Sequence, residues 1–404
     1  MRETDVVIAG GGLAGSLAAA MLGRAGIDAV IVDPHSAYPE DFRCEKLDGT
    51  QMQTLRQTGL ADAVLRASTW DRECWVARFG HVVEKRPGDQ QGIMYDTLVN
   101  AIRAEIAGHV SFIHAKVNDI AAGAERRTVR LSNGETISAR LVVVATGLNP
   151  GVREKLGIER DIISAGHSIS VGFDAKPADT CGFPFPALTY FSENPADKMA
   201  YITLFPIGAA MRANLFGYRH LHDPWLRQLR ETPRETLYGI WPGLRALMGD
   251  FTVDGFVKIR PVDLYVTGGY RQQNGVVLVG DAFATSCPAA GTGARKALVD
   301  VERLCNVHIP QWLATPGMGA EKIASFYDDP VKHACDDYSF AKAYSLRSFT
   351  LDTSLAGIAK RWVKFGLHWG KGTLRRLNAR QVPAMAHDDD QEQAPRWAPS
   401  DRQP

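Results

Sequence analysis

Residues 5–33 read DVVIAGGGLAGSLAAAMLGRAGIDAVIVD, and this stretch decides the fold. An apolar run at 5–9 is followed by a glycine-rich turn at 10–15, an alanine- and leucine-rich stretch, and a second apolar run that ends at Asp33. Short apolar runs are typical of strands buried in a parallel sheet, and the longer stretch between them is typical of a helix. The segment therefore predicts a β-α-β unit with its glycine turn between the first strand and the helix.

The glycine turn has the spacing G-x-G-x-x-G, formed by Gly10, Gly12 and Gly15, with Leu13 and Ala14 completing the motif. In such a motif the first glycine permits a tight turn and the second lets the backbone approach a pyrophosphate. The third lets the helix pack closely on the strand, and the phosphates lie at the helix N-terminus. Asp33 stands where a carboxylate accepts hydrogen bonds from a ribose. A turn without a ligand is the alternative, but strand, helix and acidic residue together favour a dinucleotide.

A second glycine-bearing segment lies far along the chain. The apolar run 276–280 predicts a buried strand, and the segment PAAGTG at 288–293 leads into a helix-like stretch. A third apolar run, 141–147, predicts another parallel strand that ends in a glycine turn. These segments add six candidate cofactor-binding residues: Gly147, Asp281, Pro288, Gly291, Thr292 and Gly293.

With both motifs in place, residues 3–310 resemble the FAD-dependent aromatic hydroxylases. These are the class A flavoprotein monooxygenases related to p-hydroxybenzoate hydroxylase and to the ubiquinone-pathway hydroxylases. The resemblance implies that the first motif holds the ADP half of FAD, and that the second holds the ribityl chain and the flavin ring. Arg43 resembles the family arginine that reaches the FAD phosphates.

The resemblance also implies the activity of an oxidoreductase. FAD would be reduced by NADH or NADPH, react with O2 to a flavin C4a-hydroperoxide, and hydroxylate a small aromatic or apolar substrate. The chemistry is centred on the flavin. We therefore expect no catalytic side chain and no metal site.

Three positions depart from the family pattern. Thr146 replaces the aspartate of a D-G-x-x-S-x-x-R signature in which Gly147 and Arg153 match, Ala284 replaces a histidine, and Arg295 replaces an asparagine. Two other kinds of enzyme therefore stay open: a reductase or dehydrogenase of the geranylgeranyl-reductase kind, and a flavin-dependent halogenase, although no W-x-W-x-I-P segment is present. A flavin-binding protein without turnover is the alternative from another class.

The pattern along the chain predicts an α/β protein with an inserted second domain. A Rossmann-like, discontinuous FAD-binding domain is expected over 1–72, 91–165 and 262–320. A mainly antiparallel substrate domain is expected over 73–90 and 166–261, because alternating, aromatic-rich runs there indicate half-exposed strands. A helical region, 321–385, and a disordered tail, 386–404, complete the prediction.

Four side chains on the predicted strands of the second domain are candidates for substrate contact: Tyr190, Tyr201, Phe205 and Arg212. Each has a structural alternative, because aromatic residues on strands are most often part of a sheet core. Strand register decides which of them face inward.

Composition limits the remaining possibilities. A formal charge of +1 argues against a dedicated nucleic-acid-binding protein, and six scattered cysteines suggest neither a metal site nor disulfides. No apolar run is long enough for a membrane span, so we expect a cytoplasmic protein. The stretch 355–376 combines aromatic residues at helical spacing with Lys and Arg. It could contact a membrane surface peripherally or pack on the protein, and the oligomeric state stays open.

Overall fold

The computed structural model describes residues 1–123, 125–178 and 182–380. The strands of this part are, in chain order, β1 (Arg2–Ala9), β2 (Ala29–Val32), β3 (Cys44–Leu47), β4 (Thr69–Trp70), β5 (Glu73–Arg78), β6 (His81–Pro87), β7 (Gln91–Met94), β8 (Ser111–Ile113), β9 (Val117–Ala121), β10 (Arg127–Leu131), β11 (Thr136–Val144), β12 (Arg160–Pro177), β13 (Ala187–Phe191), β14 (Met199–Ile207), β15 (Ala210–Gly217), β16 (Phe251–Thr267) and β17 (Val276–Leu278).

The α-helices of the same part are α1 (Leu13–Arg24), α2 (Gly49–Gln57), α3 (Ala61–Ala67), α4 (Tyr95–Arg103), α5 (Gly151–Lys155), α6 (Pro224–Glu231), α7 (Pro233–Ile240), α8 (Pro242–Met248), α9 (Gly293–Arg303), α10 (Ile309–Leu313), α11 (Ala320–Tyr327), α12 (Pro330–Leu351) and α13 (Leu355–Arg380). Short 3-10 turns at Gly280–Ala282 and Pro288–Ala290 precede α9.

The first sheet has the strand order β8-β2-β1-β11-β10-β9, and β17 pairs with β11. Strands β8, β2, β1, β11 and β17 run parallel, whereas β10 and β9 are antiparallel additions. In this register Ala9 pairs with both Val32 and Val144, so three strands end together. The predicted Rossmann-like α/β fold is confirmed, and the turns that follow β1, β2 and β11 meet at one edge of the sheet.

The second sheet has the order β16-β12-β15-β14-β13-β5-β6, and only β13 and β5 pair in parallel. Helices α6, α7 and α8 cover one of its faces. The fully buried Trp241 packs there with Phe173 and Phe251 of the sheet. The opposite face contacts residues 42–46 and the loop that precedes α9.

Three helices in the second region are a correction to the sequence analysis, which expected mainly strands over 166–261. Each begins with a proline: Pro224, Pro233 and Pro242. Proline suits the first position of a helix because its missing N–H has no partner there in any case. These three prolines therefore begin helices.

A further correction concerns the domain boundaries. Strands β12 and β16 pair from Arg160 and Thr267 onward, so both cross the boundaries predicted at 165–166 and 261–262. Residues 46–47 belong to β3. Helix α2 begins two residues later because Asp48 and Gln51 form a capping box at its N-terminus.

The C-terminal region is helical, as its pattern predicts, and α12 packs on α9. In α13 the ring of Trp362 stacks on Phe79 at 4.6 Å, and Phe365 meets the same ring edge-on. Leu355 and Leu367 of this helix are exposed. None of the described helices is long and apolar enough to cross a membrane. Peripheral membrane contact stays a prediction, and the predicted disordered tail, 386–404, lies outside the described residues.

Candidate cofactor and substrate site

The first glycine turn is fixed by two backbone contacts that only glycine allows. Gly10 has a φ of +104°, and a Cβ atom on it would lie 2.6 Å from the carbonyl oxygen of Ala145. A Cβ atom on Gly15 would overlap the carbonyl oxygen of Gly10. The turn is therefore held against the end of β11, and α1 packs directly on it.

Asp33 closes this turn from the end of β2. Its carboxylate accepts a hydrogen bond from the N–H of Gly11 at 2.8 Å, and Arg103 of α4 lies 3.2 Å from the same carboxylate. Arg103 also donates to the carbonyl oxygens of Gly11 and His35. The sequence analysis missed Arg103 because no motif connects it to Asp33; only the packing of α4 beside α1 brings them together.

The N-terminus of α1 is open to an anion. The helix has no side-chain cap and no acidic residue in its first turn. The N–H of Leu13 donates to the hydroxyl of Tyr95 at 3.2 Å, and a Cβ atom on Gly12 would lie 3.4 Å from that hydroxyl. Unpaired N–H groups and the helix dipole together make such an end a phosphate site.

Arg43 lies beside this helix end. Its guanidinium group is 3.9 Å from the ring centre of Tyr95 and donates to Asp41 at 2.8 Å and to the hydroxyl of Tyr38 at 3.0 Å. Burial would lower the pKa of Arg43, but the bond to Asp41 and the neighbouring phenols outweigh it and raise the pKa above its ordinary value. The structure thus places a permanent cation beside the N-terminus of α1.

The second glycine motif meets the first at Gly280. This residue has a φ of +59°, and a Cβ atom on it would lie 3.6 Å from the Cβ atom of Ala14. Its N–H donates to the carboxylate of Asp300 at 2.9 Å. Residues about 270 positions apart in the sequence therefore form one cleft.

Two carboxylates line this cleft, and no described residue donates a hydrogen bond to either. Burial raises the pKa of Asp281, with Lys296 and Arg43 opposing it. Burial also raises the pKa of Glu45 to about 7, with Arg43 opposing and Asp281 adding to the shift. Glu45 is enclosed by protein yet open to solvent on one side. The sequence analysis named Asp281 and missed Glu45, which belongs to no motif.

The remaining residues of the second motif shape the start of α9. Pro288 opens a 3-10 turn, Gly291 has a φ of +64°, and α9 begins at Gly293 with no side-chain cap and no acidic residue in its first turn. Thr292 faces α12, where its hydroxyl lies 2.7 Å from that of Ser339. Gly147, with a φ of +58°, turns the chain after β11. The cleft therefore has two open helix N-termini.

These features fit FAD. The two uncapped helix ends suit its pyrophosphate and the polar edge of its ring, and the glycine turns leave space that a Cβ atom would fill. Asp33 and Asp281 present carboxylates at two separate points of the cleft, as a ligand with hydroxyl groups at both ends requires.

Tyr201, Phe205 and Arg212 lie on the face of the second sheet that is turned towards this cleft. The Tyr201 hydroxyl donates to the carbonyl oxygen of Ala289 at 2.6 Å, and Phe205 packs with Cys74. Arg212 is buried, pairs with Asp174 at 3.0 Å and donates to the carbonyl oxygen of Phe42. The guanidinium group of Arg212 therefore connects the sheet to the segment that carries Arg43.

The position of Tyr190 corrects its prediction as a residue that contacts the substrate. It lies on the opposite face of the sheet, fully buried against Trp241 with ring centres 5.9 Å apart. Its hydroxyl accepts a hydrogen bond from the N–H of Gly80 and donates to Glu193. Because its register turns it towards α6–α8, Tyr190 is removed from the candidate substrate residues.

A further buried polar group, His167 of β12, lies near the cleft. His167 is fully buried, its ring lies 6.0 Å from that of Tyr218, and its Nδ1 atom is 3.2 Å from the hydroxyl of Ser164. Burial, and then the charge of Arg347, lower the pKa of His167 to about 4. Beside it, the thiol of Cys287 in the loop before α9 contacts Ser168.

The sequence model described as FAD binding domain matches residues 3–307. The 3-demethoxyubiquinol 3-hydroxylase of Escherichia coli (strain K12) is 24% identical over 328 residues, which cover 76% of this chain and 80% of that protein. The squalene monooxygenase of Mus musculus is also 24% identical, but this chain spans only 54% of its length.

A solved structure resembles most of the chain. The p-nitrophenol 4-monooxygenase PnpA of Pseudomonas putida superimposes with a TM-score of 0.74 at 17% identity, over 94% of this chain and 98% of that one. At this identity the likeness establishes a shared fold.

Proposed function

The chain belongs to the FAD binding domain family, and on that premise we propose that it is an FAD-dependent monooxygenase. It uses NADH or NADPH and O2 to hydroxylate a small aromatic or apolar molecule. The observation that carries this proposal is the contact of the two glycine turns at Ala14 and Gly280, opposite the sheet face that presents Tyr201 and Phe205. A cofactor held by both turns lies beside a surface suited to such a substrate.

The residues assigned to FAD divide by the part of the cofactor they would hold. The open end of α1 would bind the pyrophosphate, Asp33 would accept from a ribose, and Arg43 would neutralise a phosphate. Asp281 would accept from the ribityl hydroxyls, and the open end of α9 would meet the polar edge of the ring. Each role follows from the type of group that the cleft presents at that point.

Bound FAD supplies hydride acceptance from NADH or NADPH and the activation of O2. The chain supplies orientation and shelter. The dipole of α9 stabilises negative charge at its N-terminus. Tyr201 holds the Ala289 carbonyl and so fixes the loop that precedes this helix. The buried group Cys74, Ala187 and Phe205 excludes water from the facing sheet.

Two cations beside the sheet face already have anionic partners. The cation of Arg212 already pairs with Asp174, and Lys46 lies 3.9 Å from Asp71, with its amine 5.6 Å from the ring centre of Phe205. Because these cations have anionic partners, a carboxylate substrate would have to displace one of them. A flat apolar or phenolic molecule needs no such rearrangement.

The test begins with the purified protein. A visible flavin spectrum, or its appearance when FAD is added to the apoprotein, is expected first. Oxygen uptake and NADH or NADPH oxidation are then measured with paired aromatic compounds that differ only in a methyl or a carboxylate group. We expect the uncharged member of each pair to stimulate both rates, and labelled O2 to appear in the product.

The alternatives give different results. A dehydrogenase would oxidise its substrate without O2, and a binding protein without turnover would show flavin but no stimulation by any compound. Stimulation by the carboxylates alone would contradict the substrate class while leaving the monooxygenase proposal intact. A protein that stays colourless with added FAD would contradict both.

A further inference from the structure

We propose that a buried charge cluster, formed by Lys296, Asp300, Lys332 and Asp336, positions the second glycine motif for FAD. Lys332 of α12 is the key positioning residue. The proposal needs FAD binding but not hydroxylation, and it gives the C-terminal helices a role in the cofactor site that no motif in their sequence indicates.

The four charges form a closed set between α9 and α12. The Lys332 amine lies 2.7 Å from Asp336 and 3.2 Å from Asp300. The Lys296 amine lies 3.3 Å from Asp336 and 4.0 Å from Asp300. Each ammonium group therefore contacts both carboxylates, and the cluster has no net charge.

The cluster holds the 280–284 segment at both of its ends. Asp300 accepts the hydrogen bond from the N–H of Gly280, the residue at which the two glycine turns meet. Lys296 donates to the carbonyl oxygen of Ala284 at 3.3 Å. Between these anchors lies Asp281, whose carboxylate faces the cleft. The charge cluster therefore fixes the position of the Asp281 carboxylate from the side opposite the cleft.

Aromatic side chains cover the two ammonium groups of the cluster. The Lys332 amine lies 4.2 Å from the ring centre of Phe283, and the Lys296 amine lies 4.8 Å from it. Tyr327 accepts a hydrogen bond from the N–H of Leu278 at 2.9 Å and so fixes the strand that leads into the motif. Helices α11 and α12 thus clamp the motif from the side opposite the cleft.

A contribution to stability does not explain such a cluster. Lys332 and Asp300 are each 1% exposed, and removing charges from water costs about as much as their attraction returns, so apolar replacements are often neutral. The Asp300 carboxylate gives the Gly280 N–H a directed hydrogen-bond acceptor, which an apolar side chain would not provide. The cluster is therefore best understood as a device that fixes a geometry.

The test compares Lys332→Met with a matched control, Arg303→Met. Arg303 also links α9 to the start of α12, through Asp329 at 2.9 Å, but neither residue contacts the 280–284 segment. For each protein we would measure the dissociation constant for FAD by fluorescence titration of the apoprotein, and the apoprotein unfolding midpoint in urea. Wild-type binding of FAD is established first, so its absence contradicts the family assignment rather than this proposal.

We expect Lys332→Met to weaken FAD binding by about tenfold or more, because Asp300 loses its main partner and no longer holds Gly280 firmly. Arg303→Met should lower the unfolding midpoint and leave the dissociation constant within about twofold of wild type. Equal effects of the two variants on FAD binding would overturn the proposal.

Should Lys332→Met not fold, Asp336→Asn replaces it. Asp336 lies at the edge of the cluster, with its side chain 26% exposed, and asparagine keeps its shape. We expect FAD binding about threefold weaker, with hydrogen exchange of the 276–284 peptide faster in the apoprotein. Unchanged affinity and unchanged exchange would overturn the proposal.

Discussion

The cofactor cleft and the facing sheet are built from different parts of the chain's chemistry. The cleft depends on backbone: Gly10 and Gly15 allow contacts that a Cβ atom would prevent, and two helix ends supply N–H groups. The sheet face depends on side chains, whose direction is set by strand register. Tyr190 and Tyr201 lie on adjacent strands and point to opposite faces.

The cleft and the sheet face should therefore differ in how well they tolerate substitution. A site made by backbone geometry fails when one atom is added at the wrong place, because the main chain must move. A site made by side chains changes in small steps, one hydrogen bond or one charge at a time. Substitutions in the cleft should therefore have larger effects than substitutions on the sheet face.

Gly15→Ala should have the largest effect. The added methyl group would overlap the carbonyl oxygen of Gly10, so the first turn must shift from the position that a pyrophosphate requires. We expect FAD binding at least about 100-fold weaker and the apoprotein less stable by about 3 kcal/mol. FAD titration and urea unfolding of the apoprotein measure the two effects.

The matched control is Gly26→Ala. Gly26 lies just after the other end of α1, has a φ of +70° and has no atom within 4 Å of the added methyl position. It should lose about 1 kcal/mol from backbone strain alone and bind FAD as the wild type does. Similar FAD affinities for the two variants would show that the first turn does not depend on close packing.

His167→Phe tests the sheet side of the contrast through pH. The pKa of His167 is lowered by burial from 6.5 to about 4, so the folded state keeps the ring neutral. Its contribution to stability is complete above pH 6.5 and is lost as the pH falls towards 4, because the unfolded chain takes up the proton first. We expect the free energy of unfolding of the wild type to fall by up to about 3 kcal/mol over this interval because of His167. The variant should lack this contribution to the pH dependence.

Urea unfolding of the apoprotein at several pH values between 4.5 and 7.5 measures this slope. His222→Phe, at an exposed position, controls for the loss of an imidazole group. Parallel curves for the wild type and His167→Phe would mean that the pKa of His167 is the same in the folded and unfolded chains, against the lowered value expected here.

The same contrast explains what the sequence could predict. The first β-α-β unit, both glycine turns and the positions of Asp33 and Asp281 follow from local patterns, because glycine spacing reports backbone geometry directly. Arg43 follows only from the family resemblance. Arg103 and Lys332 could not be found, since tertiary packing alone brings them to the turns. The residues that contact the substrate are harder still to predict, because strand register decides which side chains face the cleft.

The tyrosines show why register was out of reach. A bulge between Met199 and Tyr201 in β14 breaks the alternation of the strand. Met199 therefore belongs to the core under α6–α8, while Tyr201, two residues later, faces the cleft. A strict period of two would place both on one face. No residue in the segment marks the bulge.

Glu45→Gln should have a smaller effect, and Glu45 lies where cleft and sheet meet. Burial raises its pKa from 4.5 to about 7, so its ionised form is disfavoured in the folded state. The folded state therefore loses stability as the pH rises from 4.5 through 7. We expect on the order of 1–2 kcal/mol, less than the full shift implies because the side chain is partly open to water.

Glutamine removes the titration, so Glu45→Gln apoprotein should be more stable than the wild type at pH 8 and equally stable at pH 5. Thermal unfolding at these two values measures the difference. The pH 5 pair serves as the internal control for any packing change. A stability difference that is the same at both values would contradict a titrating Glu45.

Tyr201→Phe and Tyr190→Phe should have the smallest effects on the cofactor site, and they divide the two faces of the sheet. Tyr201→Phe removes the hydrogen bond to Ala289 and loosens the loop before α9, so FAD should bind about three- to fivefold more weakly. Tyr190→Phe leaves Glu193 and the Gly80 N–H without their partner, so stability should fall by about 1–3 kcal/mol with FAD affinity unchanged. FAD titration and urea unfolding of both variants measure these effects. A loss of FAD affinity in Tyr190→Phe that equals that in Tyr201→Phe would mean that the sheet transmits any disturbance to the cleft, and that facing it confers no special role.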